Sequence, residues 1–135
     1  MIRSALWLGQ LWCLPVTLAG ALVAWAGGAR LTGRHRGAWV FTSRGGLTAR
    51  FFIRFNVSAF TWGAVICKRA DLRLSEAGLR RLLEHERRHF IQACWLGPLM
   101  PLAYGACSLV AVMRGRHPYF DNWLERDARA WEDRA

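Results

Sequence analysis

Lysine is almost missing from this sequence: Lys68 stands alone among nineteen basic residues, and only nine acidic residues oppose them. The resulting net charge of +10 excludes an acidic, solvating protein. No Cys-x-x-Cys pair occurs among Cys13, Cys67, Cys94 and Cys107, and three of them lie in long apolar runs. That scatter argues against a disulfide framework or a cysteine zinc site and leaves buried free thiols. Internal repeats and low-complexity tracts are absent too, and 135 residues make one domain the default. What is abundant is apolar surface: hydrophobic residues make up 53%, which argues against disorder. A chain this basic and this apolar suits an anionic surface, either membrane phospholipid or nucleic acid. No nucleic-acid recognition motif accompanies the arginines between Arg30 and Arg54, so lipid is the favoured partner and nucleic acid the disfavoured one.

Ala5 to Ala29 carries no charge, and Gln10 is its most polar side chain. As one helix it is long enough to cross a bilayer, which makes it a candidate membrane anchor. Two alternatives stand beside that reading. One is a hydrophobic helix packed on the domain. The other is a signal peptide ending at Ala24-Trp25-Ala26, although the apolar run exceeds the ~7–15 residues of a usual signal core. Arg30, Arg34 and Arg36 follow the segment while Arg3 alone precedes it, a bias that places the rest of the chain on the cytoplasmic side.

From Ala38 to Lys68 the texture becomes β. Trp39-Val40-Phe41-Thr42 and Leu47 to Phe55 flank Ser43-Arg44-Gly45-Gly46 and read as a hairpin, with Ala59 to Cys67 as a third strand. A small antiparallel sheet follows. Ser75 then caps a helix with Glu76 in its first turn, and apolar positions recur at helical spacing to about Leu96, where Gly97-Pro98 breaks it. Leu99 to Met113 is apolar again, and Asn122 to Trp131 reads as a short closing helix.

The chemistry lies in the Ser75 helix, at His85-Glu86-Arg87-Arg88-His89. A four-residue spacing puts two imidazoles on one helical face, where both can hold one zinc ion at ~2.0–2.1 Å. Glu86, about 100° round the helix, can reach a water polarised by that ion and act as general base. The bland alternative is a charge-laced solvent face stitched by pairs such as Glu84–Arg88. A zinc hydrolase needs a third protein ligand, and the downstream donors are His117, Asp121, Glu125, Asp127, Glu132 and Asp133. Glu125 is the first choice, because it sits in the closing helix behind two apolar anchors; His117 is the alternative. Asp121, one turn earlier, is a candidate acceptor for a ligand histidine's other N–H. His117, Tyr104 and Tyr119 are candidate donors to an oxyanion. A site of two histidines and one carboxylate also suits other divalent ions.

HExxH followed by a helix-borne glutamate resembles the gluzincin branch of zinc metallopeptidases. More narrowly, His85 to Gln92, Gly97-Pro98-Leu99, Tyr104 and Tyr119 to Ala128 resemble small bacterial zincin-like proteins with HExxHxxQ and a closing N-x-x-E-x-x-A. Trp123 stands where that pattern has proline, and Arg129 stands where larger gluzincins have an aspartate. The resemblance implies His85, His89 and Glu125 as ligands of one zinc ion, Glu86 as general base, and a peptide or protein substrate. The expected fold is α+β and zincin-like: an apolar helix and basic linker over 1–36, then a metal-binding domain over 37–135. The non-catalytic alternative is a degenerate zincin-like membrane protein.

One topological condition follows. Phe90 to Met113 is uncharged and long enough to span a bilayer; as a straight span it would leave His89 and Glu125 ~30 Å apart. A shared metal therefore requires the chain to break at Gly97, Pro98, Pro101 or Gly105 and fold back as a helical hairpin.

Overall fold

The computed structural model describes residues 2–132, with side chains from Trp7 onward, so Asp133 lies outside the described residues. The chain runs α1 (Ile2–Trp12), α2 (Leu14–Ala26), β1 (Ala29–His35), β2 (Ala38–Ser43), α3 (Gly46–Phe55), β3 (Ala59–Trp62) and β4 (Val65–Arg69). Helix α4 (Glu76–Leu96), a 3₁₀ turn (Gly97–Leu99), α5 (Met100–Met113) and α6 (Trp123–Glu132) complete it. The architecture is α+β, as expected, but several elements differ from the reading above.

The apolar Ala5–Ala29 stretch is two helices rather than one. Pro15, in the first turn of α2, has no N–H to continue the ladder, and the helix is interrupted at Cys13. The pair packs on the domain: Gly9 lies against Cys94 of α4 and Gly20 against Trp62, while Ala24 is buried with Ala29, Phe52, Val65 and Cys67. What looked like a basic linker is strand β1, with Arg30 and Arg34 on it. Its hairpin to β2 turns at Arg36 and Gly37, both at positive φ, as a two-residue turn matching strand twist requires. The boundary expected after residue 36 therefore falls inside a turn.

Leu47 to Phe55 is helix α3, not a strand. Its aromatic content suits β structure, but Thr48 and Phe52, one turn apart, are both buried. The Thr48 hydroxyl donates to the Gly27 carbonyl at 2.9 Å and sits 2.7 Å from Ser43 Oγ, tying α3 to the end of α2. Likewise Ala59 to Cys67 is not one strand but the β3–β4 hairpin, turned at Gly63. The sheet order is β1-β2-β4-β3, with β2 and β4 parallel, so the sheet is mixed rather than antiparallel. Strand β3 is an edge, and α4 lies across it.

The main core joins Ile66, Ala38 and Ala64 of the sheet region to Phe90, Ala93 and Cys94 of α4, with Cys13 and Leu124 closing the ends. Helix α4 begins as expected, with Ser75 Oγ accepting from the Gly78 N–H. It ends at Gly97, whose φ of +56° lies in the region that favours glycine and whose α-carbon faces the Trp12 indole. The helical run 76–113 is long and apolar enough to cross a membrane, with an 18-residue window of mean hydropathy 1.6. The fold-back required within it is shared between this break and the 114–122 segment, which returns the chain so that α6 lies against α4 and α5. Asn122, fully buried, makes the join: its amide donates to Tyr104 O at 3.1 Å and Ser108 Oγ at 2.8 Å, and its Oδ1 caps the Leu124 N–H at 2.9 Å.

Candidate metal centre

Helix α4 brings His85 and His89 to one face, as the four-residue spacing dictates, and α6 delivers Glu125 opposite them. The three ligand atoms converge. His85 Nε2 and His89 Nε2 are 3.2 Å apart, His85 Nε2 is 3.3 Å from Glu125 Oε2, and His89 Nε2 is 3.3 Å from Glu125 Oε1. Ligands ~2.0–2.1 Å from a tetrahedral ion stand ~3.3 Å apart, so the spacing fits a metal. All three residues are buried, and apart from the approach of His85 Nε2 no donor among the described residues meets Glu125 Oε2 in hydrogen-bond geometry. A buried, unpaired carboxylate oxygen is costly unless a cation meets it, which is a second mark of a metal site. Burial works against the Glu125 charge, but the two imidazoles and the Tyr104 hydroxyl outweigh it and hold the carboxyl well below its usual range.

The surrounding hydrogen bonds orient the ligands. Tyr104 OH donates to Glu125 Oε1 at 2.8 Å. Gln92 Oε1 lies 2.9 Å from His89 Nδ1, and Gln92 Nε2 donates to Leu124 O at 3.0 Å and Asp127 Oδ2 at 2.8 Å. Arg88 grips the same Asp127 with Nε at 2.6 Å and a second nitrogen at 3.2 Å. That grip, against burial, holds the Asp127 carboxyl below its usual range. A single network thus runs from α6 through Asp127 and Gln92 to His89.

Asp121 does not serve a ligand ring; it accepts from the His117 backbone N–H at 3.0 Å. The His117 ring is exposed, and its Nδ1 accepts from the Tyr119 and Phe120 N–H groups at 3.1 Å, so it is not brought into the ligand set. Of the remaining donors among the described residues, only Glu132 approaches, 3.8 Å from His85 Nδ1. Sequence reasoning assigned no role to Gln92 or Thr61 and named Asp127 only among the candidate third ligands, whereas it supports Gln92 instead. The glutamine was visible three residues after the motif, one turn from His89, but its partners lie more than thirty residues away.

Glu86 is buried beside the ligands, and Thr61 of the edge strand donates to its Oε2 at 2.7 Å. Among the described residues Glu86 makes no ion pair, unlike Glu84, which meets His35 at 2.9 Å, Arg36 at 3.3 Å and Arg87 at 3.6 Å. The motif helix thus has one glutamate held in ion pairs and another, Glu86, that lines the cavity. That cavity, about 410 Å³, is lined by His85, Glu86, His89 and Glu125 together with Phe60, Met100 and Tyr104. Tyr119 also lines it; burial, then the Glu125 and Glu86 charges, push its hydroxyl up to about 12, so it carries its proton at neutral pH.

No family model, curated protein or solved structure matches this chain.

Proposed function

We propose that this chain is a membrane-associated zinc metallopeptidase of zincin type, with His85, His89 and Glu125 as ligands and Glu86 as general base. The observation that carries the reading is the convergence of three buried candidate ligand atoms 3.2–3.3 Å apart beside the buried carboxylate of Glu86. Two histidines and one carboxylate leave a fourth position open, the mark of a catalytic rather than a structural zinc site. Zinc held there would supply a Lewis acid that brings the pKa of a water towards ~7.

The chain's own groups divide the remaining work. Glu86 Oε2 is held by Thr61, which leaves Oε1 to accept a proton and pass it to a leaving amine. Tyr119, protonated and facing the cavity, is a donor to developing negative charge on the scissile carbonyl. Strand β3 is an unpaired edge beside Glu86, where an extended peptide can add as a strand. Membrane association is supported by the apolar run in 76–113 and by α2, whose Leu18, Leu22, Val23 and Trp25 face outward.

Glu86→Gln tests the mechanism. The variant is expected to bind one zinc per chain as the wild type does, and to lose about 10²–10⁴-fold in peptide hydrolysis. Zinc binding with full activity in the variant overturns the role of Glu86. Zinc binding without any hydrolysis by the wild type favours a non-catalytic metal protein instead.

A further inference from the structure

Three cavities meet around the candidate metal centre, and their chemistry differs along their length. The central one shares Phe51, Phe60 and Trp62 with a second cavity of about 470 Å³, whose other walls include Val23 and Leu47. This arm is almost wholly apolar, and it opens between α2 and α3. Those helices present Leu22, Val23, Leu47 and Ile53 to the outside, and α2 is part of the surface that the membrane reading places against lipid. On the other side the central cavity shares His85, Glu86, Ala59 and Tyr119 with a third cavity of about 550 Å³. Its walls are mixed: Asn56, Ser58, Arg129 and Glu132 are polar and reach solvent, and they stand among apolar Phe55, Leu82 and Phe120. One cleft therefore passes the candidate metal ligands and Glu86, with an almost wholly apolar arm on the side that the membrane reading gives to lipid and a mixed arm, carrying the polar and charged side chains, on the other.

We infer that the cleft takes an extended peptide segment from the membrane–water boundary of another protein, with its apolar half along Phe51, Phe60 and Trp62 and its polar half along Asn56, Ser58 and Arg129. The occupant follows from matching each wall. A wholly polar peptide leaves the apolar arm hydrated, and a wholly apolar one strips water from Arg129 and Glu132 without replacing their hydrogen bonds. A segment that changes polarity at the metal satisfies both arms. On the peptidase reading, which this inference deepens, the bond presented to Glu86 is the one at the apolar–polar junction.

The test uses the full chain as the zinc-loaded Glu86→Gln variant in detergent micelles, with two peptides of equal composition. One has an apolar block followed by a polar block; the other is scrambled. A photo-crosslinking benzophenone is placed in either half. The block peptide is expected to bind about tenfold more tightly than the scrambled one. Crosslinks from its apolar half should map to α2, α3 and β3, and those from its polar half to residues 56–58 and 117–132. Phe51→Asp and Trp62→Asp, both at partly exposed positions, should each bring the block peptide down to the scrambled peptide's affinity. Equal affinity of the two peptides, or crosslinks that ignore the half carrying the probe, overturns the inference. Cleavage by the wild type is read separately. An intact crosslink pattern without cleavage supports the cleft and removes the peptidase reading, whereas cleavage of both peptides at equal rates removes the polarity match and keeps the peptidase.

Discussion

With both hydrogens of its side-chain amide directed at Leu124 O and Asp127 Oδ2, Gln92 has only one orientation, and its carbonyl oxygen faces His89 Nδ1. An oxygen accepts, so the histidine nitrogen must donate, and the lone pair is left on Nε2, the atom that points at Glu125 and His85. Arg88 fixes Asp127, so the tautomer of a ligand on α4 is set from α6. Removing this support while keeping the ligands gives a graded prediction. Gln92→Leu is expected to weaken zinc binding about 10–100-fold, whereas His89→Ala and Glu125→Ala lose the metal on purification. Elemental analysis, together with competition against a zinc chelator, reads both effects. Wild-type affinity in Gln92→Leu would remove the positioning role, and full zinc content in Glu125→Ala would remove α6 from the site.

At the scale of elements, the helix break at Gly97 decides whether the site can exist, because α5 must leave the α4 axis for Tyr104 to meet Glu125. A side chain at 97 would be forced into left-handed backbone and into the Trp12 indole. Gly97→Ala is therefore expected to cost about 1–3 kcal/mol from backbone strain alone, with the clash in addition. A lowered thermal midpoint, partly restored by Trp12→Ala in the same chain, checks this; an unchanged midpoint would sink it. The break was legible from Gly97-Pro98, and α4 from Ser75 and its periodicity, because local rules settle both. The HExxH pair was legible for the same reason. Helix α3 was missed because Phe51, Phe52, Ile53 and Phe55 suit strands by residue type. Its helical signal was the one-turn spacing of Arg50 with Arg54 and of Phe51 with Phe55, and tertiary burial of Thr48 and Phe52 supports it. The β1–β2 turn escaped because Arg36 at positive φ is an uncommon choice. Asp121 was assigned to a ligand ring on helical spacing, yet it lies before α6 begins, where its carboxylate closes the His117 turn instead.

The whole molecule places apolar and charged surface in a way that limits how deeply it can enter a bilayer. Leu102, Leu109, Val112 and Met113 give α5 an exposed apolar face, but its 14 residues reach only ~21 Å, less than the ~30 Å hydrocarbon core. Beside its Tyr104–Ser108 turn lies α6, with Arg126, Arg129 and Glu132, and just past its end come Arg114 and Arg116. Charges at both levels cannot sit at mid-bilayer without a cost of several kcal/mol, which sets that side of α5 in water. On the membrane reading proposed above, helix α5 would dip into one leaflet with its outer face while the candidate metal centre stays at the boundary. A tag before Arg80 and a tag after Trp131 are then expected on the same side of the membrane, both cleaved by protease added to that side and both protected from the other. Tags on opposite sides would mean a straight crossing between α4 and α6, and no metal could then bridge His89 and Glu125.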